Sequence, residues 1–221
     1  MNEEAVVILG AGGHARETFW HVRDIKGSDC DIFFVDDVSS LTEISFRNLP
    51  GSFKVIKDWN FKDLIAKFQK VGFVVGVSDP KIKEVMVERA CEAGIDPLET
   101  LVHPTSIVQG ADCDLGRGGL IAPGCILTTN VKLEDYIIVN YNCSIGHDAH
   151  IKKFSTVNPC SHVSGNVTLG CGVTVGACSF IREKIEIADG VVIGGQACVV
   201  KDVQTSGDLV VGVPAKSLKA K

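Results

Sequence analysis

Residues 137–169 read IIVNYNCSIGHDAHIKKFSTVNPCSHVSGNVTL, and an aliphatic side chain recurs in this stretch at every sixth position. The period continues in both directions and gives fifteen aliphatic positions: Leu115, Ile121, Leu127, Leu133, Val139, Ile145, Ile151, Val157, Val163, Leu169, Val175, Ile181, Ile187, Ile193 and Val199. A second column, two residues before the first, holds only small or apolar residues from Cys113 to Ala197. Two such columns are not expected by chance, so the period reflects the fold.

A six-residue period with an inward aliphatic residue is typical of a parallel β-helix, whose coils bury their core only against neighbouring coils. If three hexapeptides complete one triangular coil, the fifteen repeats make about five coils. Residues 18 apart then lie above one another, so His147 should lie under Gly165 and Ala177 under Gly195. This leaves room for a slim ligand along the helix axis, although small residues are also common in the turns of such helices.

The first hundred residues have a different organisation, in which short apolar runs alternate with helical patterns. Residues 5–9 read as a buried strand that leads into the glycine-rich sequence GAGGH at 10–14 and then into a helix. Residues 80–93 predict an amphipathic helix with Ile82, Val85, Met86 and Ala90 on one face. We expect a small α/β Rossmann-like domain over residues 1–100, a β-helix over residues 101–221, and a C-terminal tail that caps the upper coils.

The glycine-rich turn predicts a phosphate site, because glycines let phosphate approach the backbone N–H groups at a helix start. Gly12, Gly13 and His14 form this turn. Asp36 and Asp37 follow the second predicted strand, at the edge where parallel sheets bind ligands. The third glycine of the dinucleotide fingerprint is replaced by Ala15, a tolerated variant, so the fingerprint matches only in part. The domain is too short for a full dinucleotide fold, so one nucleotide is favoured over NAD. A tight turn that only closes the α/β unit, and a solvated strand end, are the alternatives.

The composition excludes several classes of function. The 221 residues carry 22 Lys+Arg against 27 Asp+Glu, a formal net charge of -5, which argues against non-specific nucleic-acid binding. The apolar start is too short for a signal sequence and no uncharged apolar run reaches 18 residues, so we expect a cytoplasmic protein without membrane insertion. The nine cysteines should then stay reduced, and without a CxxC pair they do not predict a zinc ribbon.

Four segments resemble the sialic acid O-acetyltransferase-like sugar acyltransferases, and among them most closely the bacterial nucleotide-sugar N-acetyltransferases. They are GAGGH at 10–14, LVHPT at 101–105, NYNCSIGHD at 140–148 and VGVPAK at 211–216. The resemblance implies a left-handed β-helix and a homotrimer with active sites between subunits. It also implies acetyl transfer from acetyl-CoA, without a metal, to an amine of a UDP-, GDP- or dTDP-linked amino deoxysugar. The 4-amino group is the expected acceptor, in surface glycan or glycoprotein biosynthesis.

The resemblance further implies roles for single residues. His147 is the expected general base and Asp148 its acidic partner, a pairing that requires a chain corner because neighbouring residues on a strand face opposite ways. Gly165 is expected to offer its N–H to the thioester oxygen. The remaining expected contacts are Thr156, Ala177 and Gly195 to the cofactor, Asn140 to the hexose, and Gly12, Gly13, His14, Asp36 and Asp37 to the nucleotide.

Three other functions fit parts of the sequence. An O-acetyltransferase for sialic acid or another free sugar would use the same base but would not need a nucleotide site. A carbonic anhydrase-like lyase needs three convergent imidazoles, and His150 and His162 lie at a different turn phase from His147. A scaffold that only binds a nucleotide sugar predicts no base–acid pair at 147. His103, which precedes a proline at the domain junction, is expected to fix the linker.

Overall fold

The computed structural model describes residues 4–218, and its first part is an α/β domain. Its elements are β1 (Glu4–Leu9), α1 (Gly13–Lys26), β2 (Asp31–Val35), β3 (Glu43–Phe46), β4 (Leu49–Ile56), α2 (Lys62–Lys67), β5 (Lys70–Val75), α3 (Pro80–Glu92) and β6 (Asp96–Pro97). The strands form one sheet in the order β3-β4-β2-β1-β5-β6. β3 pairs antiparallel with β4, and the other pairs are parallel.

The central strand β1 shows why this sheet forms. Its residues 5–9 are all apolar and completely buried, as expected for a parallel strand that is covered on both faces. Phe19 of α1 packs on one face of the sheet, with its ring stacked 6.0 Å from that of Phe34. Met86 and Ala90 of α3 pack on the other face. The glycine turn between β1 and α1 therefore lies at the carboxyl edge of the sheet.

The predicted buried face of α3 is partly wrong. Met86 and Ala90 are buried as expected, but Ile82 and Val85 are 52% and 54% exposed. Lys83 is instead completely buried, because this side of α3 faces the second domain. An amphipathicity pattern assigns lysine to the solvent-exposed polar face of a helix. It carries no information on the carbonyl oxygens of another domain that accept hydrogen bonds from this ammonium group.

The second part of the chain is a left-handed parallel β-helix with three faces, which confirms the predicted fold class. The first face contains Leu101–Val102, Leu120–Ile121, Ile138–Val139, Thr156–Val157, Thr174–Val175, Val192–Ile193, Leu209–Val211 and, antiparallel at its edge, Lys216–Ser217. The second face contains Ile107–Val108, Ile126–Leu127, Ser144–Ile145, His162–Val163, Phe180–Ile181 and Cys198–Val199. The third face contains Asp114–Leu115, Lys132–Leu133, His150–Ile151, Thr168–Leu169 and Glu186–Ile187.

The six-residue column forms the core of this helix. All fifteen predicted aliphatic residues belong to one apolar cluster, in which Leu115 alone is only partly buried. The second column is also internal. Its three buried serines, Ser155, Ser161 and Ser179, each donate a hydroxyl hydrogen bond to a carbonyl oxygen 15 residues further on. A polar side chain is thus accepted in the core because its hydroxyl has a partner.

The corners between the faces follow the same period. Every sixth residue from position 118 to position 196 has a left-handed backbone, with φ between 53° and 73°. Four of these fourteen residues are glycine; the others are Asn130, Tyr136, Asn142, Asp148, Phe154, Cys160, Asn166, Cys178, Lys184 and Gln196. This conformation costs a non-glycine residue roughly 1–2 kcal/mol, and asparagine and aspartate tolerate it best.

The β-helix extends beyond the periodic stretch at both ends. Leu101 pairs with Leu120, a step of 19 residues, and a 3-10 helix at Gly110–Asp112 lies between them. At the other end Val192 pairs with Leu209, a step of 17 residues. Because these steps differ from 18 residues, a strict six-residue period does not identify the end coils. None of the helices within residues 4–218 has the length and apolar character needed to cross a membrane.

Candidate active site

The predicted base and acid meet at one corner of the β-helix. His147 and Asp148 lie between the second-face strand Ser144–Ile145 and the third-face strand His150–Ile151. Asp148 has a left-handed φ of 60°, and this turn lets its Oδ2 come within 2.7 Å of His147 Nδ1. A proton on Nδ1 is then held by the carboxylate, and Nε2 keeps a free lone pair. Both side chains are accessible, with 58% and 43% exposure.

Two asparagines bracket this pair, and the sequence interpretation had not singled them out. Asn130 lies one coil below Asp148 and donates a 2.6 Å hydrogen bond from its side-chain amide to Oδ1. Asn166 lies one coil above, with its amide nitrogen 3.5 Å from His147 Nδ1. The hydrogen bonds from His147 and then from Asn130 lower the pKa of Asp148, so it stays ionised. The 18-residue spacing could have identified both asparagines.

Gly165 lies directly over the base, as the stacking argument predicts. A methyl group on Gly165 would come within 2.5 Å of His147 Nε2 and within 2.9 Å of Cδ2. Its backbone nitrogen donates no hydrogen bond within the described part of the chain. The N–H beside the base is therefore available to an incoming acceptor.

Ala177 and Gly195 form a second small-residue column, at a different corner. This corner connects the first and second faces, because Ala177 follows Thr174–Val175 and precedes Phe180–Ile181. A methyl group on Gly195 would have Ala177 O at 3.3 Å as its nearest neighbour. The surface of the β-helix therefore carries no bulky side chain at these two positions. It is separated from His147 by the whole width of the second face.

The glycine turn has the features of an anion site. Gly12 is the N-cap of α1, and neither a side-chain cap nor an acidic residue occupies the first turn of this 14-residue helix. A Cβ atom on Gly12 or Gly13 would meet nothing within 4 Å, so the space above the helix start is open. Free N–H groups at a helix N-terminus attract phosphate. His14 begins the same helix with a buried Nε2 that has no partner among residues 4–218, and burial lowers its pKa.

The two aspartates after β2 are engaged with protein groups. Asp36 accepts a hydrogen bond from Ala11 N at 3.0 Å through Oδ2 and from two further backbone N–H groups through Oδ1. Asp37 forms a 2.8 Å ion pair with Arg89 of α3. Asp36 thus stabilises the glycine turn through its hydrogen bond to Ala11 N. Both carboxylates already have protein partners, and neither is directed to an open ligand position.

Thr156 does not have the surroundings that we expected. It is completely buried, its hydroxyl donates to Ser78 O at 2.9 Å, and it accepts from the Lys83 ammonium at 2.9 Å. Lys83 also donates to the carbonyl oxygens of Tyr136 and Ser155, and burial lowers its pKa to about 7. Thr156 therefore connects the two domains. Its buried hydroxyl already has two protein partners, so it is not the cofactor contact that we expected.

The predicted residues form two sets on different sides of the chain. The first domain packs on the first face, where the Tyr136 ring stacks between those of Phe73 and Phe154. Asn140 ends a strand of this face and is 7% exposed. His147 occupies the corner opposite that face. A groove of about 540 Å³ beside α3 is lined by none of the predicted site residues.

The other histidines of the β-helix do not converge on His147. His150 Nε2 lies 2.8 Å from Glu134 Oε1, and His162 Nδ1 lies 2.8 Å from Ser144 Oγ. Within residues 4–218, His147 belongs to no group of three side chains that could hold a metal ion. The arrangement that a carbonic anhydrase-like lyase requires is not formed by the described chain.

The chain is similar to proteins of known activity. Residues 5–90 match the PglD N-terminal domain family. A GDP-perosamine N-acetyltransferase of Escherichia coli O157:H7 is 28% identical over 166 residues, which cover 73% of this chain and 71% of that protein. This chain is thus similar to a nucleotide-sugar N-acetyltransferase over most of its length. These matches confirm the predicted resemblance and the predicted enzyme class, an acetyltransferase.

Solved structures of such acetyltransferases have the same fold. The acetyltransferase domain of PglB from Neisseria gonorrhoeae FA1090, in complex with acetyl coenzyme A, superposes with a TM-score of 0.83 at 27% identity, covering 99% of this chain and 100% of that one. A mutant perosamine N-acetyltransferase from Caulobacter crescentus, in complex with CoA and GDP-perosamine, gives a TM-score of 0.85 at 22% identity, covering 98% and 97%. The likeness thus extends over both domains.

Proposed function

We propose that this protein transfers the acetyl group of acetyl-CoA to the amine of a nucleotide-linked amino deoxysugar. The observation that carries the proposal is the His147–Asp148 corner roofed by Gly165, in a chain that also has an open glycine turn at a helix start. The related proteins include enzymes named for acetylation of GDP-perosamine, which supports an amino sugar as the acceptor. Surface glycan or glycoprotein biosynthesis and a cytoplasmic location stay predictions.

The chemistry follows from the corner geometry. The neutral sugar amine attacks the thioester carbonyl, and His147 Nε2 takes a proton from the nitrogen as the C–N bond forms. The carbon–sulfur bond then breaks, and the same proton passes to the departing CoA thiolate, so the products are an amide and a thiol. Asp148 stabilises the imidazolium in between, a role that carboxylates have in other triads.

Gly165 contributes in two ways. Its N–H is directed to where the thioester oxygen gains negative charge, and such a preformed donor stabilises the tetrahedral intermediate. Its missing side chain leaves space over Nε2 for the reacting amine. The mechanism assigns no step to a metal ion, and general base and oxyanion donor are both supplied by the chain.

A second subunit is needed to complete the site. The glycine turn and Asn140 lie on the side of the first face, whereas His147 lies at the opposite corner. In a homotrimer of parallel β-helices, the Ala177 and Gly195 column of one subunit would face the His147 corner of its neighbour. Acetyl-CoA would then run between two helices, and the nucleotide sugar would reach the base of one subunit from the first domain of another.

The test is a thiol-release assay with acetyl-CoA and a panel of UDP-, GDP- and dTDP-linked 4-amino sugars, with free sialic acid included. Turnover of one amino sugar would support N-acetyl transfer and identify the nucleotide. Turnover of sialic acid alone would move the function to O-acetylation. Lack of turnover across the panel, while acetyl-CoA still binds, would show that the acceptor class is wrong.

A further inference from the structure

His21, Asp24 and His103 meet at the junction of the two domains. His21 and Asp24 are three residues apart in α1, so their side chains share one side of the helix. His103 follows the first strand of the β-helix, Leu101–Val102. One ligand atom from each of the three lies within 4.8 Å of the other two, and within residues 4–218 no other such group of three possible metal ligands forms.

The two imidazoles are both buried at the junction. His21 is 3% exposed and His103 is 7% exposed. Buried polar atoms in proteins normally have a hydrogen-bond partner. His21 Nδ1 is buried and has none among the described residues, so a bound ion could supply the missing partner.

His103 and Asp24 already have suitable spacing. His103 Nε2 lies 3.2 Å from Asp24 Oδ2, close to the separation of about 3.3 Å between ligand atoms in tetrahedral zinc sites with bonds of about 2.0 Å. On its other side, His103 Nδ1 lies 2.9 Å from Thr105 Oγ1 and 3.2 Å from Thr105 N, whose N–H it accepts. Metal binding through Nε2 therefore requires the ring proton to move to Nδ1, where Thr105 Oγ1 is the oxygen that can accept it, as the second N–H of a metal-bound histidine usually has such a partner. The Asp24 side chain is 56% exposed, which provides an entry path for an ion.

We propose that His21, Asp24 and His103 bind a divalent transition-metal ion of the Zn²⁺ class, with a fourth position open to water. Two imidazoles and one carboxylate are a donor set suited to such ions. The ion connects α1, which starts at the glycine turn, to the segment that enters the β-helix. It fixes the two domains to each other and takes no part in acetyl transfer. An ion pair between Asp24 and His103 is the competing explanation, and it does not use His21.

The test is calorimetric titration of the full chain with ZnCl₂ after removal of metals by EDTA, together with thermal unfolding with and without Zn²⁺. The wild type should bind one Zn²⁺ per chain and unfold at a higher temperature with Zn²⁺. Asp24→Asn and His21→Gln should each bind at least about tenfold more weakly, since each removes a ligand. His150→Gln removes the histidine of a matched pair, 2.8 Å from Glu134, and should bind as the wild type does.

Four outcomes would overturn the proposal. The first is failure of the wild type to bind Zn²⁺, and the second is unchanged binding in His21→Gln and Asp24→Asn. The third concerns the nine cysteines: a thiolate-to-metal charge-transfer band with Co²⁺ in place of Zn²⁺ would locate the ion at sulfur. If Asp24→Asn lowers the stability of the metal-free protein but leaves the Zn²⁺ response intact, the ion pair is the correct explanation.

Discussion

At the scale of single residues, the base–acid pair depends on a backbone conformation that most side chains avoid. Asp148 has a φ of 60°, and aspartate is one of the few residues that adopt this region at low cost. The same residue therefore makes the corner and orients His147 at 2.7 Å. Asn130 holds its other oxygen at 2.6 Å, so the carboxylate is fixed from two sides. One position thus serves both the fold and the proposed chemistry.

The roof over the base gives a direct prediction. Gly165→Ala would place a methyl group 2.5 Å from His147 Nε2, so the ring must move or the amine loses its space. We expect kcat to fall by at least about tenfold, because catalysis by a general base depends on its placement. The melting temperature should change little, since the ring is 58% exposed and can turn into solvent. Unchanged kcat would show that the amine approaches the base from elsewhere.

At the scale of the elements, the corners predict how stability responds to substitution. Cys178 is exposed and has a left-handed φ of 59°. Cys178→Asn should stabilise the protein, and Cys178→Val should destabilise it, with a difference of about 1–2 kcal/mol in the free energy of unfolding. Denaturant unfolding of both variants measures this difference.

The matched control for the corner experiment is Cys91, which is exposed in the helix α3. Cys91→Asn should not stabilise the protein, because asparagine has no advantage over cysteine within a helix. Equal effects of asparagine at positions 91 and 178 would contradict the backbone explanation.

The contact between α3 and the β-helix predicts a pH dependence of stability. The pKa of Lys83 is lowered to about 7 by burial, whereas an unfolded lysine titrates near 10.4. Between these values the unfolded chain holds a proton that the folded chain lacks, so stability rises with pH by up to about 1.4 kcal/mol per unit. Below pH 7 Lys83 is protonated in both the folded and the unfolded chain, so it no longer makes the free energy of unfolding depend on pH.

The variant Lys83→Met isolates this effect, because it keeps the buried stem and removes the titrating group. Urea unfolding of both proteins between pH 7 and pH 9 should show the wild type gaining stability relative to the variant as pH rises. Parallel curves for the two proteins would mean that Lys83 keeps its proton in the fold, held by the carbonyl oxygens of Tyr136 and Ser155.

At the scale of the whole molecule, the two sets of site residues predict sharing between subunits. His147→Asn removes the proposed base, and Gly13→Glu places a negative charge at the proposed phosphate site, where an added Cβ atom meets no atom within 4 Å. Each variant alone should be inactive. If the variants are unfolded and refolded together in equal amounts, about one quarter of all sites in the predicted trimers combine an intact turn with an intact base. Activity near that fraction supports the shared site, and none would place each site within one chain.

The sequence was most informative where one residue determines one structural feature. The inward aliphatic column fixes the coils, and the 18-residue spacing correctly places Gly165 over His147. Contacts between the domains could not be predicted in this way. Lys83 and Thr156 form a hydrogen bond only because α3 packs on the first face of the β-helix. No local sequence pattern predicts this contact between the domains. The partners of Asp36 likewise depend on how the loops fold back on the sheet.

The measurement that tests the central claim most directly is steady-state turnover of wild type and His147→Asn with acetyl-CoA and the nucleotide-linked amino sugar that the panel selects, with mass spectrometry of the sugar product. The wild type should release CoA and add one acetyl group to the sugar nitrogen. The variant should bind acetyl-CoA with unchanged affinity but lose roughly 100- to 10,000-fold in kcat, the usual contribution of a general base. Equal turnover by the two proteins would contradict the assignment of His147 as the base.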